Sequence, residues 1–244
     1  TRSFSDFSDV VEKRSKIQLT YLFRPTAWFD AFYDLIAYDK DIRTMHTFGA
    51  SSHLRVLDPV EISFKYHRSR LENSSTVLRN HTYSDDFNER VDLSINQRCQ
   101  LGIDYLYSHY SDGNAQHKPG FDALYYLSLD PTRLAVQYRY FYQTFEKKVP
   151  EYFSPQGLTT NAVSLDWRHF LNKEEIFFGA NDLYYNLGYT LSIDSTDIIG
   201  HQFKAGVHWD MNKRLALDIQ GECSISSHTV YKESGIKGSL RYYF

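Results

Sequence analysis

Apolar and polar side chains alternate along this chain with a period of two, almost from end to end. In the last segment Ile236, Gly238, Leu240, Tyr242 and Phe244 fall on one side, and Lys237, Ser239, Arg241 and Tyr243 on the other. Leu215, Leu217, Ile219, Gly221, Cys223 and Ile225 alternate with Ala216, Asp218, Gln220, Glu222 and Ser224. Leu134, Val136, Tyr138, Tyr140 and Tyr142 alternate with Arg133, Ala135, Gln137, Arg139, Phe141 and Gln143, and residues 60–67 follow the same rule. So do 17–23, 87–95, 101–111, 121–129, 163–167, 177–191 and 201–209. Successive residues of a strand point to opposite faces, so the period predicts strands with one apolar and one polar face. Two stretches are less regular: 27–38 has aromatics on both faces, and 43–57 is short of large apolar residues. Phe4, Phe7 and Val10 have helical spacing, yet residues 2–11 fit a first strand about as well. The pattern is all-β, and no Pro/Gly-rich linker divides residues 1–244, which read as one domain.

Short and long connections take turns between these segments. Tight turns are expected at Arg24–Thr26, Asp58-Pro59, Asn96–Arg98, Asp130-Pro131, Asn172-Lys173 and Asp210–Lys213. Longer loops are expected at Asp39–Arg43, Leu71–Asp86, Ser111–Gly120, Glu146–Thr159, Ser192–Asp197 and around 226–230. With residues 2–11 as a strand the count is about 14, at roughly 10–14 residues each, the length of a tilted strand crossing a bilayer.

Composition narrows the class. Aromatic residues make up 16% of the 244 and charged residues 23%. No apolar run exceeds about five residues, which excludes a helical span of ~20. Lys+Arg 27 against Asp+Glu 30 gives a net charge of -3, so no basic field points to nucleic acid. No basic-then-apolar leader follows Thr1, as expected of a mature form or of a segment from a longer chain. Cys99 and Cys223 read as two unpaired thiols, or as a pair in an oxidising compartment. His46, His53, His67, His201 and His208 are scattered without metal-ligand spacing, and no phosphate-binding Gly loop occurs, so no metal or cofactor is expected. Asp85-Asp86 and Glu174-Glu175 read as solvated acids at strand or loop edges.

The faces decide between a soluble sheet and a membrane barrel. Asp30, Asp34, Glu61, Lys65, Arg90, Asp92, Asp104, Arg133, Arg139, Arg168, Lys204, Asp218, Glu222, Lys237 and Arg241 all fall on the polar side. A wide barrel lined by such residues holds water, so its apolar side must meet lipid. Aromatics gather at strand ends, as in Tyr21/Phe23, Trp28/Phe29, Trp209 and Tyr242/Phe244, where an interfacial girdle sits. The expected fold is a single closed antiparallel transmembrane β-barrel of about 14 strands. Its lining mixes both charge signs, which suits a neutral or zwitterionic solute, or a lumen closed by its own ion pairs. Trp28, Phe32, Tyr110, Tyr126 and Phe141 on the same side are placed to stack on sugar rings or to brace the wall.

The alternating end, Ile236-x-Gly238-x-Leu240-x-Tyr242-x-Phe244, resembles the C-terminal signature of bacterial outer-membrane β-barrels. That resemblance implies insertion into the outer membrane of a Gram-negative bacterium, with Gly238, Leu240, Tyr242 and Phe244 read by the barrel-assembly machinery. It also implies periplasmic tight turns and extracellular long loops. Tyr152-Phe153-Ser154-Pro155-Gln156, followed by Leu165-Asp166-Trp167-Arg168, is similar to a loop-strand stretch in the C-terminal barrels of tetratricopeptide-repeat exopolysaccharide exporters. This implies a conduit passing or exporting a hydrophilic solute or glycan, and a periplasmic partner domain. His109-Tyr110-Ser111-Asp112-Gly113 resembles the His-x-Ser-Asn-Gly pattern of outer-membrane phospholipase A, with Asp112 in place of Asn. It implies an alternative, a lipid hydrolase using His109 as base and Ser111 as nucleophile. A third reading is a barrel that holds a partner in its lumen.

Overall fold

The computed structural model describes residues 12–24, 27–38, 45–71, 82–150, 152–172, 182–212, 214–227 and 232–242. They contain β1 (Glu12–Arg24), β2 (Ala27–Tyr38), β3 (Met45–Leu57), β4 (Val60–Arg70), β5 (Tyr83–Ser94), β6 (Cys99–Tyr110) and β7 (Ala115–Ser128). They continue with β8 (Thr132–Phe145), β9 (Gln156–Asn172), β10 (Leu183–Asp194), β11 (Ile199–Asn212), β12 (Leu215–Ser226) and β13 (Lys232–Tyr242). Each strand pairs with its neighbour in sequence, giving one 13-stranded sheet in the order β1 to β13.

Two expectations are corrected. The described residues hold 13 strands and not about 14, and the stretch 2–11 lies outside them. The strand order is linear, and among the described residues no ladder joins β13 to β1, so the expected closure is not among the pairings. The turn expected at Asn172-Lys173 lies partly outside the described residues, and the β9–β10 ladder pairs Asn172 with Leu183.

The other connections are governed by short polar side chains. In the Asn96–Arg98 turn, Asn96 Oδ1 accepts from the backbone N–H of Arg98 (2.8 Å) and Cys99 (2.9 Å). Asp194 Oδ1 does the same for Thr196 (2.8 Å) and Ile198 (3.1 Å). The stretch Ser111–Gly120 is mostly strand: β7 starts at Ala115, leaving a turn of Ser111–Asn114 with Gly113 at φ 77°.

The chain divides into two compact units. The first comprises Thr1–Ile95, Leu101–Phe121 and Phe141–Thr159. Within it the register stacks Tyr33 beside Phe48, and Leu54 beside Ile62 and Val91, on one face. Ile17 is 66% exposed there, Leu19 72% and Ile103 63%. At one end of this face Arg68 grips Asp85 through Nη2 (2.6 Å) and Nε (2.7 Å), with Tyr66 donating to the same carboxylate. Phe48 and Tyr83 flank the guanidinium at 5.2 and 4.8 Å.

The second unit comprises Asn96–Gln100, Asp122–Tyr140 and Thr160–Phe244. Its apolar rows run Leu187–Ala205–Gly221–Ile236 and Trp209–Leu217–Leu240 across β10 to β13. Ile236 and Leu240 are more than half exposed.

In both units the usual order is inverted. Many Leu, Ile, Val, Phe and Tyr side chains are exposed, while Asp104, Ser108, Gln116, Asp122 and Asp210 are buried. Leaving each large apolar group in water forgoes roughly 1.5–3 kcal/mol. A face of this kind is stable only against an apolar surrounding, and the sheet itself supplies none.

Candidate functional site

Period two and register place the polar residues together. In the first unit Arg55 faces Glu61, Ser51 faces Lys65 and His53 faces Ser63. Arg55 donates to Glu61 Oε1 from Nε (2.8 Å) and Nη2 (2.5 Å), and His53 Nε2 lies 3.3 Å from Oε2. The His53 ring stacks on Trp28 at 3.9 Å, so Trp28 belongs to the polar face and not to an aromatic girdle. Arg90 binds Asp92 through Nε (2.9 Å) and Nη2 (2.6 Å), and its Nη1 reaches Asp104 at 3.4 Å. A Cβ on Gly120 would stand 2.8 Å from both Asp104 oxygens, so glycine is what leaves room for that buried carboxylate.

The second unit repeats the chemistry. Arg133 donates to the Tyr126 hydroxyl (2.8 Å) with its guanidinium 4.5 Å from the ring, and Arg168 lies 4.8 Å from Tyr184. His208 stands between two carboxylates, Asp218 at 2.6 Å and Asp210 at 3.2 Å, and stacks on Tyr184 at 4.7 Å. Lys204 is opposite Glu222, Gln220 opposite Lys237, and Asp218 opposite Ser239. Asp34 and Arg241 are placed by backbone register alone, opposite Thr47 and Ala216. Asp30 and Arg139 occupy β2 and β8 in phase with the other polar positions. The face therefore alternates cations and anions at close range. Partly exposed pairs of this kind are worth ~0–1 kcal/mol each, so their main effect is to cancel the local field.

In the first unit the Glu146–Pro155 loop folds onto the polar face. Tyr152 stacks on Tyr110 at 5.2 Å, beside Phe145 and Leu71, with Val149 packed against them. Asn114, 1% exposed, clasps the loop: Nδ2 donates to Lys147 O and to the Tyr152 hydroxyl, both at 2.9 Å, and Oδ1 accepts from Lys147 N at 2.9 Å. The Tyr152 hydroxyl donates to Asp112 (2.9 Å), and Ser154 Oγ both accepts from Val149 N (2.8 Å) and donates to Val149 O (3.1 Å). Beneath the loop lies a cavity of about 480 Å³ lined by Arg70, Asp86, Ser108, Gln116, Lys118, Gln143 and Phe153, among others. The period places Gln143 on the polar face, but Gln116 and Asn114 fall in a stretch that reads as loop, where isolated amides have no period and no motif.

His109 and Ser111 share the parity of Ile103 and Tyr105, on the apolar face. Ser111 Oγ accepts from Tyr83 N (3.1 Å), and among the described residues no hydrogen bond joins it to His109. Asp85, on the neighbouring β5, is held by Arg68 and Tyr66. Gly238, Leu240 and Tyr242 lie in phase on the exposed face of β13, and Phe244 lies outside the described residues. Cys99 and Cys223 are free thiols. Among the described residues no cluster of His, Cys, Asp and Glu has metal-binding geometry.

No protein-family model matches the chain, and no curated protein matches it. Solved structures do. A bacterial polysaccharide outer membrane secretin is similar over 96% of this chain and 80% of its own, with a TM-score of 0.75 at 14% identity. The anion-selective porin from Comamonas acidovorans is similar over 95% of this chain and 89% of its own (TM-score 0.51, 9% identity). OmpT of the Vibrio cholerae outer membrane is similar over 94% and 89% (TM-score 0.51, 8% identity). At such identities the likeness is one of fold. The chain has the fold of bacterial outer-membrane β-barrel proteins, and the outer membrane is the location that goes with it.

Proposed function

We propose that the protein is an outer-membrane channel whose polar face lines a water-filled path for a hydrophilic solute, with glycans as the cargo class. The observation that carries this is the inversion of faces: buried carboxylates, amides and hydroxyls on one side, exposed aliphatic and aromatic side chains on the other. Only lipid outside and water inside accommodate both. In this reading lipid covers the apolar face, the end of β13 carries the signal for the barrel-assembly machinery, and a periplasmic partner domain feeds the path. A conduit also requires partners for the edges of β1 and β13 that pair with no described strand, since each unpaired backbone group in hydrocarbon costs several kcal/mol. Interleaved cations and anions favour a path with little preference for either ion sign.

The test is conductance of the whole chain in planar bilayers. The expected result is discrete steps, with a cation-to-anion permeability ratio within about threefold of unity. Silence from correctly folded protein, including protein with the loop released by Asn114→Ala, would overturn the reading.

A further inference from the structure

We propose that the cavity under the Glu146–Pro155 loop is a binding subsite for an uncharged saccharide unit, with Phe153 as stacking platform and Gln143 and Gln116 as its hydrogen-bonding pair. The proposal rests on the glycan-conduit reading for the source of the ligand and on the cavity itself for the ligand's chemistry.

The volume, about 480 Å³, lies within the range of small-molecule sites. What distinguishes this cavity is hydrogen-bonding capacity that the fold leaves unused. Gln143 faces it with an amide that makes no hydrogen bond among the described residues. Gln116 Oε1 accepts from the Tyr110 hydroxyl at 2.7 Å, which leaves its Nε2 donors unengaged by any described residue. A sugar hydroxyl donates and accepts at once, and a carboxamide does the same from two adjacent atoms, so the pair matches vicinal hydroxyls. Among the described residues neither amide is sealed from water without a partner, so a sugar hydroxyl would take the place of water there.

Phe153 supplies the other half of saccharide recognition. Its neighbours Tyr152 and Ser154 are 7% and 5% exposed and bonded, whereas Phe153 is 67% exposed. The backbone on both sides is thus fixed, so the ring is held out at the cavity mouth and little ordering remains to be done on binding. An aromatic face left in water on the polar side of the sheet fits the C–H face of a pyranose ring. The lining carries two cations, Arg70 and Lys118, against one anion, Asp86; Lys118 lies over the Phe141 ring at 4.1 Å, and Ser69 donates to Asp86. An amino sugar finds no field of opposite sign, and a uronate only a single excess positive charge.

The experiment is calorimetric titration of the whole chain in lipid nanodiscs with cellohexaose, hexagalacturonate and a glucosamine hexamer, alongside bilayer recording of the same preparation. Cellohexaose is expected to bind most tightly, with affinity falling about tenfold in Phe153→Ala and in Gln143→Leu. Phe153→Ala alters an exposed ring, so it keeps the test valid if Gln143→Leu fails to fold. Absence of cellohexaose binding, unchanged affinity in Phe153→Ala, or tighter binding of either charged hexamer overturns the subsite. Conductance without saccharide binding overturns the subsite alone, while binding without conductance supports the subsite and overturns the conduit.

Discussion

Ile103 and Asp104 are neighbours in β6 with opposite surroundings: Ile103 is 63% exposed and Asp104 only 7%. In a water-soluble sheet Ile103→Arg would be harmless, because an exposed position tolerates charge. Against lipid it is expected to cost ~2–4 kcal/mol, the depth-dependent penalty for a cation on the outer face of a membrane strand. Gln220→Arg, on the polar face of β12, is expected to stay within about 0.5 kcal/mol of the parent. Urea unfolding in lipid vesicles measures both, and equal costs would contradict the assignment of faces. Gly120→Ala probes the buried carboxylate instead. Its methyl would stand 2.8 Å from Asp104 and push that side chain off Arg90, so a loss of about 1–3 kcal/mol is expected in the same assay.

At the scale of elements, the strands were readable where one face meets lipid. Residues 60–67, 134–142 and 215–225 alternate cleanly because the two solvents differ. Alternation fails where both faces meet water, since nothing there selects for apolar residues. Ala115–Gly120, with Gln116, His117, Lys118 and Pro119, reads as loop yet forms the first residues of β7. The early part of β9, with Gly157, Thr159 and Thr160, fails for the same reason. The folded loop was hidden for a different reason. Asn114 and Tyr152 meet across 38 positions of sequence, and no local period encodes such a meeting. Tyr110 and Tyr152 were each singled out, one by parity and one by motif, but only the structure stacks them.

That clasp makes a prediction about the loop. Asn114→Ala removes the bonds to Lys147 and Tyr152, each worth about 1 kcal/mol net. The strands are expected to persist while the loop opens, so trypsin should cut after Lys147 or Lys148 at least tenfold faster. Unchanged cleavage would show that the Tyr110–Tyr152 stack holds the loop unaided.

For the molecule as a whole, the charge pattern on the polar face explains why composition alone says little about cargo. Cations and anions alternate along and across strands, with Arg55–Glu61, Arg90–Asp92 and His208–Asp218 in contact, so the net charge of -3 is not concentrated in one field. Selectivity then depends on local chemistry, and the cavity beside Phe153 is where hydrogen-bonding groups remain unused.

Whether one face of this sheet meets lipid and the other water is read by a nitroxide scan along His201–Trp209 of β11. With Cys99 and Cys223 replaced by Ser, labels at the positions of His201, Phe203, Ala205, Val207 and Trp209 are expected to collide with oxygen dissolved in the bilayer. Labels at the positions of Gln202, Lys204, Gly206 and His208 are expected to collide with a water-soluble nickel chelate. Alternation with a period of two and that phase supports the account. Nickel access at every position, or oxygen access on the Lys204 side, would contradict it.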